Sequence, residues 1–92
     1  MSELSEQLRD TLVAYCLYME PDSLKDLTTD VEQGGLAWFP AEFSQALIAG
    51  VFTPDLWGRL TQTGLDRDDQ DQLDADLRAV WSHAAPGQPY PR

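Results

Sequence analysis

The stretch Gly50-Val51-Phe52-Thr53-Pro54-Asp55-Leu56-Trp57 holds the end of one helix and the start of the next. Glycine adopts the left-handed backbone conformation that closes many helices, so we expect a helix to end at Gly50. Thr53 is a good N-cap, and Pro54 suits the first helical position. Phe52 and Trp57 have the spacing of a hydrophobic staple across this cap. The stretch therefore predicts two helices joined by a short turn.

Apolar residues three and four positions apart predict further helices on both sides of this stretch. We expect Ser2 to cap the first helix and Pro21 to stop it, and Asp66 to cap the last. The stripe of the first helix is Leu4, Leu8, Leu12, Tyr15, Cys16 and Met19. The five predicted helices cover residues 2–20, 22–33, 40–50, 54–64 and 66–85.

The fold class follows from this order of elements. Five helices with short connections and no alternating strand pattern predict an all-α fold, a compact bundle of short helices. We expect a single helical domain over residues 1–85. The Pro-rich residues 86–92 cannot continue a helix and are predicted to form an extended tail. Residues 36–39 are too short a run to classify, and a small strand pair there is the alternative to a loop.

Negative charge is concentrated in two parts of the chain, whose formal net charge is −10. Residues 20–32, the first acidic stretch, hold five carboxylates against Lys25, a net of −4. Residues 66–76, the second acidic stretch, hold six carboxylates against Arg67, a net of −5. Such clustered charge repels nucleic acid and anionic lipid and attracts basic partners.

Length and composition narrow the class of protein. A chain of 92 residues with a hydrophobic fraction of 42% can bury a core, which argues against disorder. A lone cysteine, Cys16, allows no internal disulfide and fits a reducing compartment. No signal peptide and no apolar run of the ~20 residues that span a bilayer are visible. We therefore expect a cytoplasmic monomer that does not enter a membrane.

Catalytic and metal-binding patterns are missing, so we predict a protein that is not an enzyme and needs no cofactor or metal. Cys16 lies on an apolar stripe, and the single histidine, His83, falls at a helix end. A calcium loop starting at Asp66 needs glycine at its sixth position and glutamate at its twelfth, where this chain has Asp71 and Leu77. The last two predicted helices could form a helix-turn-helix, in which the second helix contacts DNA through basic or amide side chains. Here that helix begins with a run of aspartates, so we expect no direct contact with nucleic acid.

The acidic stretches have two interpretations, a solvated surface that keeps the protein soluble or a surface that meets a basic partner. Capping of the last helix accounts for Asp66, Asp68 and Asp69 but not for the carboxylates that follow. Tyr18 and Trp38 are candidate aromatic anchors for a partner. The predicted partner-binding residues are Tyr18, Asp26, Asp30, Glu32, Trp38, Asp68, Asp69, Asp71, Asp74 and Asp76.

Residues 43–81 follow a phrase of the type F-x-x-x-L…T-P-x-x-W-x-x-L-T, then an acidic helix that ends in Leu-x-x-x-Trp. The phrase falls on Phe43, Leu47, Thr53, Pro54, Trp57, Leu60, Thr61, Leu77 and Trp81. In this it resembles small bacterial immunity proteins that are paired with contact-dependent growth-inhibition toxins.

The resemblance implies a protein that binds a cognate toxin domain and blocks its active site or substrate path. Many such toxins act on nucleic acid through a basic groove, so a nuclease is one expected partner. No residue is carried over as a known toxin contact. The alternative from the residues is a regulatory adaptor, or a DNA mimic that binds a transcription factor.

Overall fold

The computed structural model describes residues 4–91, which form five α-helices and no strand. A short 3-10 turn at Leu17–Met19 separates the first two helices. The all-α prediction is therefore confirmed, and residues 33–38 form turns rather than the alternative strand pair. The helices are α1 Glu6–Tyr15, α2 Pro21–Glu32, α3 Phe39–Ala49, α4 Pro54–Thr61 and α5 Gln70–Ala84.

The turn between α3 and α4 has the features that the sequence predicts. Gly50 takes a left-handed conformation with φ +70° at the end of α3. The Thr53 hydroxyl accepts a hydrogen bond from the Leu56 N–H over 3.2 Å at the start of α4. The rings of Phe52 and Trp57 meet edge to face, with centroids 5.4 Å apart. Local sequence accounts for the cap and the staple of this turn, since these interactions join close neighbours in the chain.

The first helix is shorter than predicted at both ends. Its N-cap is Ser5, whose hydroxyl accepts a hydrogen bond from the Leu8 N–H, while the predicted cap Ser2 lies outside the described residues. The helix ends at Tyr15 because the backbone turns at Tyr18 and Met19, which have φ +57° and +51°. Pro21 then opens α2 instead of only ending the helix before it.

Two other helix ends also differ from the prediction. The helix α4 ends with Gln62 in the left-handed conformation, two residues before the predicted Gly64. The helix α5 begins at Gln70, because residues 66–69 form a turn. In that turn the Asp66 N–H donates to the Asp69 carboxylate, and the Asp68 N–H donates to the Asp66 carboxylate, each over 3.0 Å. Asp66 therefore stabilises a turn before the helix and does not cap the helix itself.

A continuous row of aromatic rings forms the centre of the core. Phe43 stacks on Phe39 at a centroid distance of 5.4 Å and lies 5.4 Å from Phe52 and 6.4 Å from Trp81. Trp57 extends the row from Phe52 into α4. Buried aliphatic residues of α1, α2 and α5 surround the rings: Leu8, Leu12, Leu24, Leu27, Leu73, Leu77 and Val80.

The chain after α5 folds back against that helix. The indole N–H of Trp81 donates to the carbonyls of Gln88 and Pro89, at 3.2 and 3.1 Å. The guanidinium carbon of Arg78 lies 4.3 Å from the ring centroid of Tyr90. The extended tail and the domain boundary before residue 86 stay predictions.

Candidate partner-binding surfaces

The helices α2 and α5, which carry seven of the sixteen acidic residues, pack against each other. The Thr28 hydroxyl donates to the His83 carbonyl over 2.8 Å, which shows which sides of the two helices meet. Asp26 and Asp30 are two residues from Thr28, a rotation of about 200° on a helix, so both face away from α5. Asp74 is nine residues from His83, a rotation of about 180°, so it faces away from α2.

Asp26 and Asp30 therefore lie on a different side of the α2–α5 pair from Asp74. We call the side of α2 with Asp26 and Asp30 the α2 surface. The side of α5 with Asp71 and Asp74, together with the preceding turn, is the α5 surface. A partner that docks on one of them does not need to contact the other.

In α2, Asp26 and Glu32 are exposed, and Asp30 is half-buried. Glu32 is four residues from Thr28, a rotation of about 40°, so it lies on the α5 side of the helix and outside the α2 surface. The phenol of Tyr15 in α1 donates a hydrogen bond to the Asp30 carboxylate. This bond, with burial and the charges of Asp30 and Asp26, raises the pKa of the Tyr15 phenol. Asp30 thus joins α1 to α2, while Asp26 and Glu32 are the carboxylates most open to a partner among those of this stretch that were predicted to bind one.

On the α5 surface, Asp68 and Asp71 are exposed, and Asp69 and Asp74 are half-buried. The Asp69 carboxylate accepts the Asp66 N–H in the turn before α5. The Asp74 carboxylate accepts a hydrogen bond from the Gln70 amide one helical turn earlier, over 3.1 Å. Asp68 and Asp71 are therefore the most accessible of the carboxylates predicted here.

Asp76 lies in the core instead of on a partner-facing surface, with 7% of its area exposed. Its carboxylate accepts hydrogen bonds from the Trp57 indole over 3.2 Å and from the Gln72 amide over 2.8 Å. We correct its assignment, because a carboxylate enclosed in this way is not available to a partner. Asp76 is three residues after Leu73 and four before Val80, so it lies close to the apolar stripe of the helix. That spacing alone does not show that α4 covers the carboxylate.

The two predicted aromatic anchors are placed differently. Tyr18 is 58% exposed and projects from the left-handed turn between α1 and α2. Trp38 is half-buried and meets the Phe39 ring at a centroid distance of 5.8 Å. Tyr18 is thus open to a partner, whereas Trp38 contributes in part to the core.

The single cysteine and the single histidine both contact neighbouring helices or the core. Cys16 is fully buried, as its place on the apolar stripe predicts, and burial, with the Asp76 charge second, raises the pKa of its thiol to about 12. His83 is half-buried, with Nδ1 3.2 Å from the Thr28 hydroxyl. Within residues 4–91, no three acidic, histidine or cysteine side chains are grouped closely enough to hold a metal ion. None of the helices described is long and apolar enough to cross a bilayer.

Glu42 is a further candidate binding residue, and nothing in the sequence indicated it. Glu42, outside both acidic stretches, lines a groove between α1 and α3. Glu42 has no acidic neighbours in the sequence that would mark it as a binding residue. The groove itself forms only when α1 and α3 pack.

No protein-family model, curated protein or solved structure matches the sequence significantly. The resemblance to immunity proteins over residues 43–81 therefore stays a prediction.

Proposed function

We propose that this chain is an acidic binding protein that neutralises a basic toxin domain, as an immunity protein does, by covering its active site or substrate path. The observation that carries the proposal is the exposure of Asp26, Glu32, Asp68 and Asp71 on a chain of net charge −10. Exposed carboxylates of one sign speed the encounter with a cationic surface and disfavour anionic partners. A toxin that acts on nucleic acid needs a basic groove, which these surfaces complement.

Binding also needs an anchor that excludes water, because charges at the rim of an interface contribute more to association rate than to affinity. Tyr18 supplies a large exposed ring in the turn that leads directly into α2. An aromatic ring with charged neighbours has the composition of a binding hot spot with a polar rim. We assign Tyr18 as the anchor of the α2 surface on this basis.

The placement of the carboxylates also bears on the second candidate, a DNA mimic that binds a transcription factor. A mimic needs carboxylates along one strip at the spacing of phosphates. The α2 surface and the α5 surface face different directions, and the buried Asp76 is lost from the second. This arrangement favours a partner that docks on one acidic surface.

The test uses the C-terminal domain of a secreted protein encoded beside the gene for this chain, as expected for a toxin with its immunity protein. Expression of that domain should stop growth, and expression of this chain with it should restore growth. The two purified proteins should form a complex. Growth that stays arrested, or a mixture that forms no complex, contradicts the proposal.

Two matched variants identify the surface that is used. Asp68→Asn with Asp71→Asn on the α5 surface, and Asp22→Asn with Asp26→Asn on the α2 surface, each remove two exposed charges and leave the same net charge. Asp22 is one helical turn before Asp26 and so lies on the same side of α2. The double variant on the contact surface should slow association with the toxin domain about tenfold at low salt and flatten its salt dependence. The other should change the rate much less. If neither variant alters the rate, both surfaces are simply solvated and the charge-based mechanism is wrong.

A further inference from the structure

The geometry points to a binding site for one basic side chain, lysine or arginine, in the groove between α1 and α3. The inference rests on the proposed function, since the side chain would belong to the basic protein partner. It adds a contact outside the α2 surface and the α5 surface, centred on Glu42. We call it the Glu42 groove.

The Glu42 groove has a volume of about 310 Å³. This is at the lower end of the ~300–1,000 Å³ range of ligand pockets, so it suits a single side chain rather than a large ligand. Leu8 and Ala46, both buried, form part of its lining. The remaining lining residues are Leu4, Ser5, Glu42, Gln45, Ala49 and Val51. The walls are therefore largely apolar.

Among the described residues that line the groove, Glu42 alone carries a charge. Its carboxylate accepts a hydrogen bond from the Ser5 hydroxyl over 2.7 Å and another from the Gln7 amide. Both donors belong to the start of α1, so they hold the carboxylate in place across the two helices. Both donors are neutral, so neither of them compensates its negative charge. The partial positive charge at the start of α1 reduces that charge without cancelling it.

Apolar walls with one fixed carboxylate match the two parts of a basic side chain. Lysine and arginine bury their methylene stems along apolar surfaces and place the charged end on a carboxylate. The field of the whole chain, at net charge −10, also attracts a cation to the groove. A second copy of this chain is a poor occupant, because two molecules of that charge repel each other.

The test is a titration of the full chain, followed by the amide NMR signals of Ala46, Ala49 and Val51. The probes are N-acetyl-arginine amide and N-acetyl-citrulline amide, which have nearly the same shape but differ in charge. We expect saturable shifts at these signals with the arginine probe. Citrulline should bind about tenfold more weakly, the loss expected for a charge-assisted hydrogen bond.

Two variants separate the charge of the groove from its shape. Glu42→Gln should remove the preference for arginine over citrulline. Ala49→Leu leaves Glu42 in place but fills the groove at an exposed position, so it should block both probes. The Asp68→Asn, Asp71→Asn double variant is the control and should bind the arginine probe at the groove as the parent chain does. Far-UV circular dichroism verifies that each variant is folded.

Three results of the titration would overturn the inference. They are an absence of saturable shifts at the groove, equal binding of the two probes, and shifts confined to the acidic surfaces. Dimer formation that changes the same signals with protein concentration would assign the groove to a second copy and also overturn it. The proposed function fails separately, when neutralising the α2 and α5 surfaces leaves association with the toxin domain unchanged while the arginine probe still binds.

Discussion

The indole N–H of Trp57 in α4 donates a hydrogen bond to the buried carboxylate of Asp76 in α5, over 3.2 Å. The Gln72 amide donates to the other oxygen of the same carboxylate. A buried charge is costly unless donors replace the water that it loses, and here both oxygens have one. The pair joins two helices whose contacting residues are 19 positions apart in the chain.

We predict that Asp76→Ala lowers the free energy of unfolding by about 2 kcal/mol, because it removes hydrogen bonds to a charged group and leaves the Trp57 donor unpaired. Urea unfolding measures the change. Asp71→Ala is the matched control on the exposed side of α5 and should stay within about 0.5 kcal/mol of the parent. Similar losses for the two variants would show that the Asp76 carboxylate does not hold α4 to α5.

Stability should fall in alkali. Burial raises the pKa of the Cys16 thiol from 9.0 to about 12, so the folded state holds this proton more tightly than the unfolded chain. The contribution of the protonated Cys16 thiol to the free energy of unfolding is fully present below about pH 9 and is lost as the pH rises towards 12. We expect the free energy of unfolding to decrease by up to ~1.4 kcal/mol per pH unit in that window.

Urea unfolding at pH values from 8 to about 11 tests this slope. Cys16→Ala should make the slope shallower, because it removes the thiol proton. Tyr15→Phe should do so only at higher pH, since the pKa of the Tyr15 phenol is raised from 10.0. A slope that neither variant changes would mean that other groups control the alkaline limit.

Gly58→Ala should destabilise the fold by about 1–3 kcal/mol through overpacking. A Cβ atom at Gly58 would lie 2.5 Å from the Leu65 nitrogen and 2.8 Å from the Leu65 carbonyl oxygen, and backbone atoms cannot move aside cheaply. Gly35→Ala is the control, because its Cβ would meet only the Asp30 carbonyl oxygen at 3.7 Å. Thermal unfolding of both variants gives the comparison, and equal midpoints would argue against the close contact between α4 and residue 65.

The left-handed turn at Tyr18 should reverse the usual order of glycine and alanine. Because Tyr18 has φ +57°, Tyr18→Gly should be more stable than Tyr18→Ala by about 1 kcal/mol. Ala14→Gly in α1 is the control and should instead lose about 1 kcal/mol, as in ordinary helices. Chemical unfolding of the three variants measures both differences. If Tyr18→Ala is the more stable of the pair, the backbone at that position is not left-handed.

Local interactions explain what could be predicted from the sequence. The start of α4 is encoded by Thr53 and Pro54, which act on atoms within three residues of the cap, and Gly50 supplies the end of α3 itself. The periodic apolar residues likewise predicted five helices. The same reasoning misplaced the end of α1, since the stripe continues through Cys16 to Met19 while the backbone turns away from the helical path at Tyr18.

The candidate site depended far more on tertiary structure. The sequence located the carboxylates, but their spacing cannot say which of them a neighbouring helix covers. Asp76 meets Trp57, Asp30 meets Tyr15, and Glu42 meets Ser5 only after the helices pack. The same packing of the helices leaves four carboxylates exposed, those of Asp26, Glu32, Asp68 and Asp71.

The sequence by itself thus determined the type and approximate number of the helices and the sign of the protein's charge. Tertiary structure decided where that charge points, which carboxylate lies in the core, and that Glu42 faces a groove. The physical reason is the distance along the chain over which each kind of interaction acts. Helix caps and periodicity act within a few residues, whereas burial and cross-helix hydrogen bonds depend on partners that are distant in the chain.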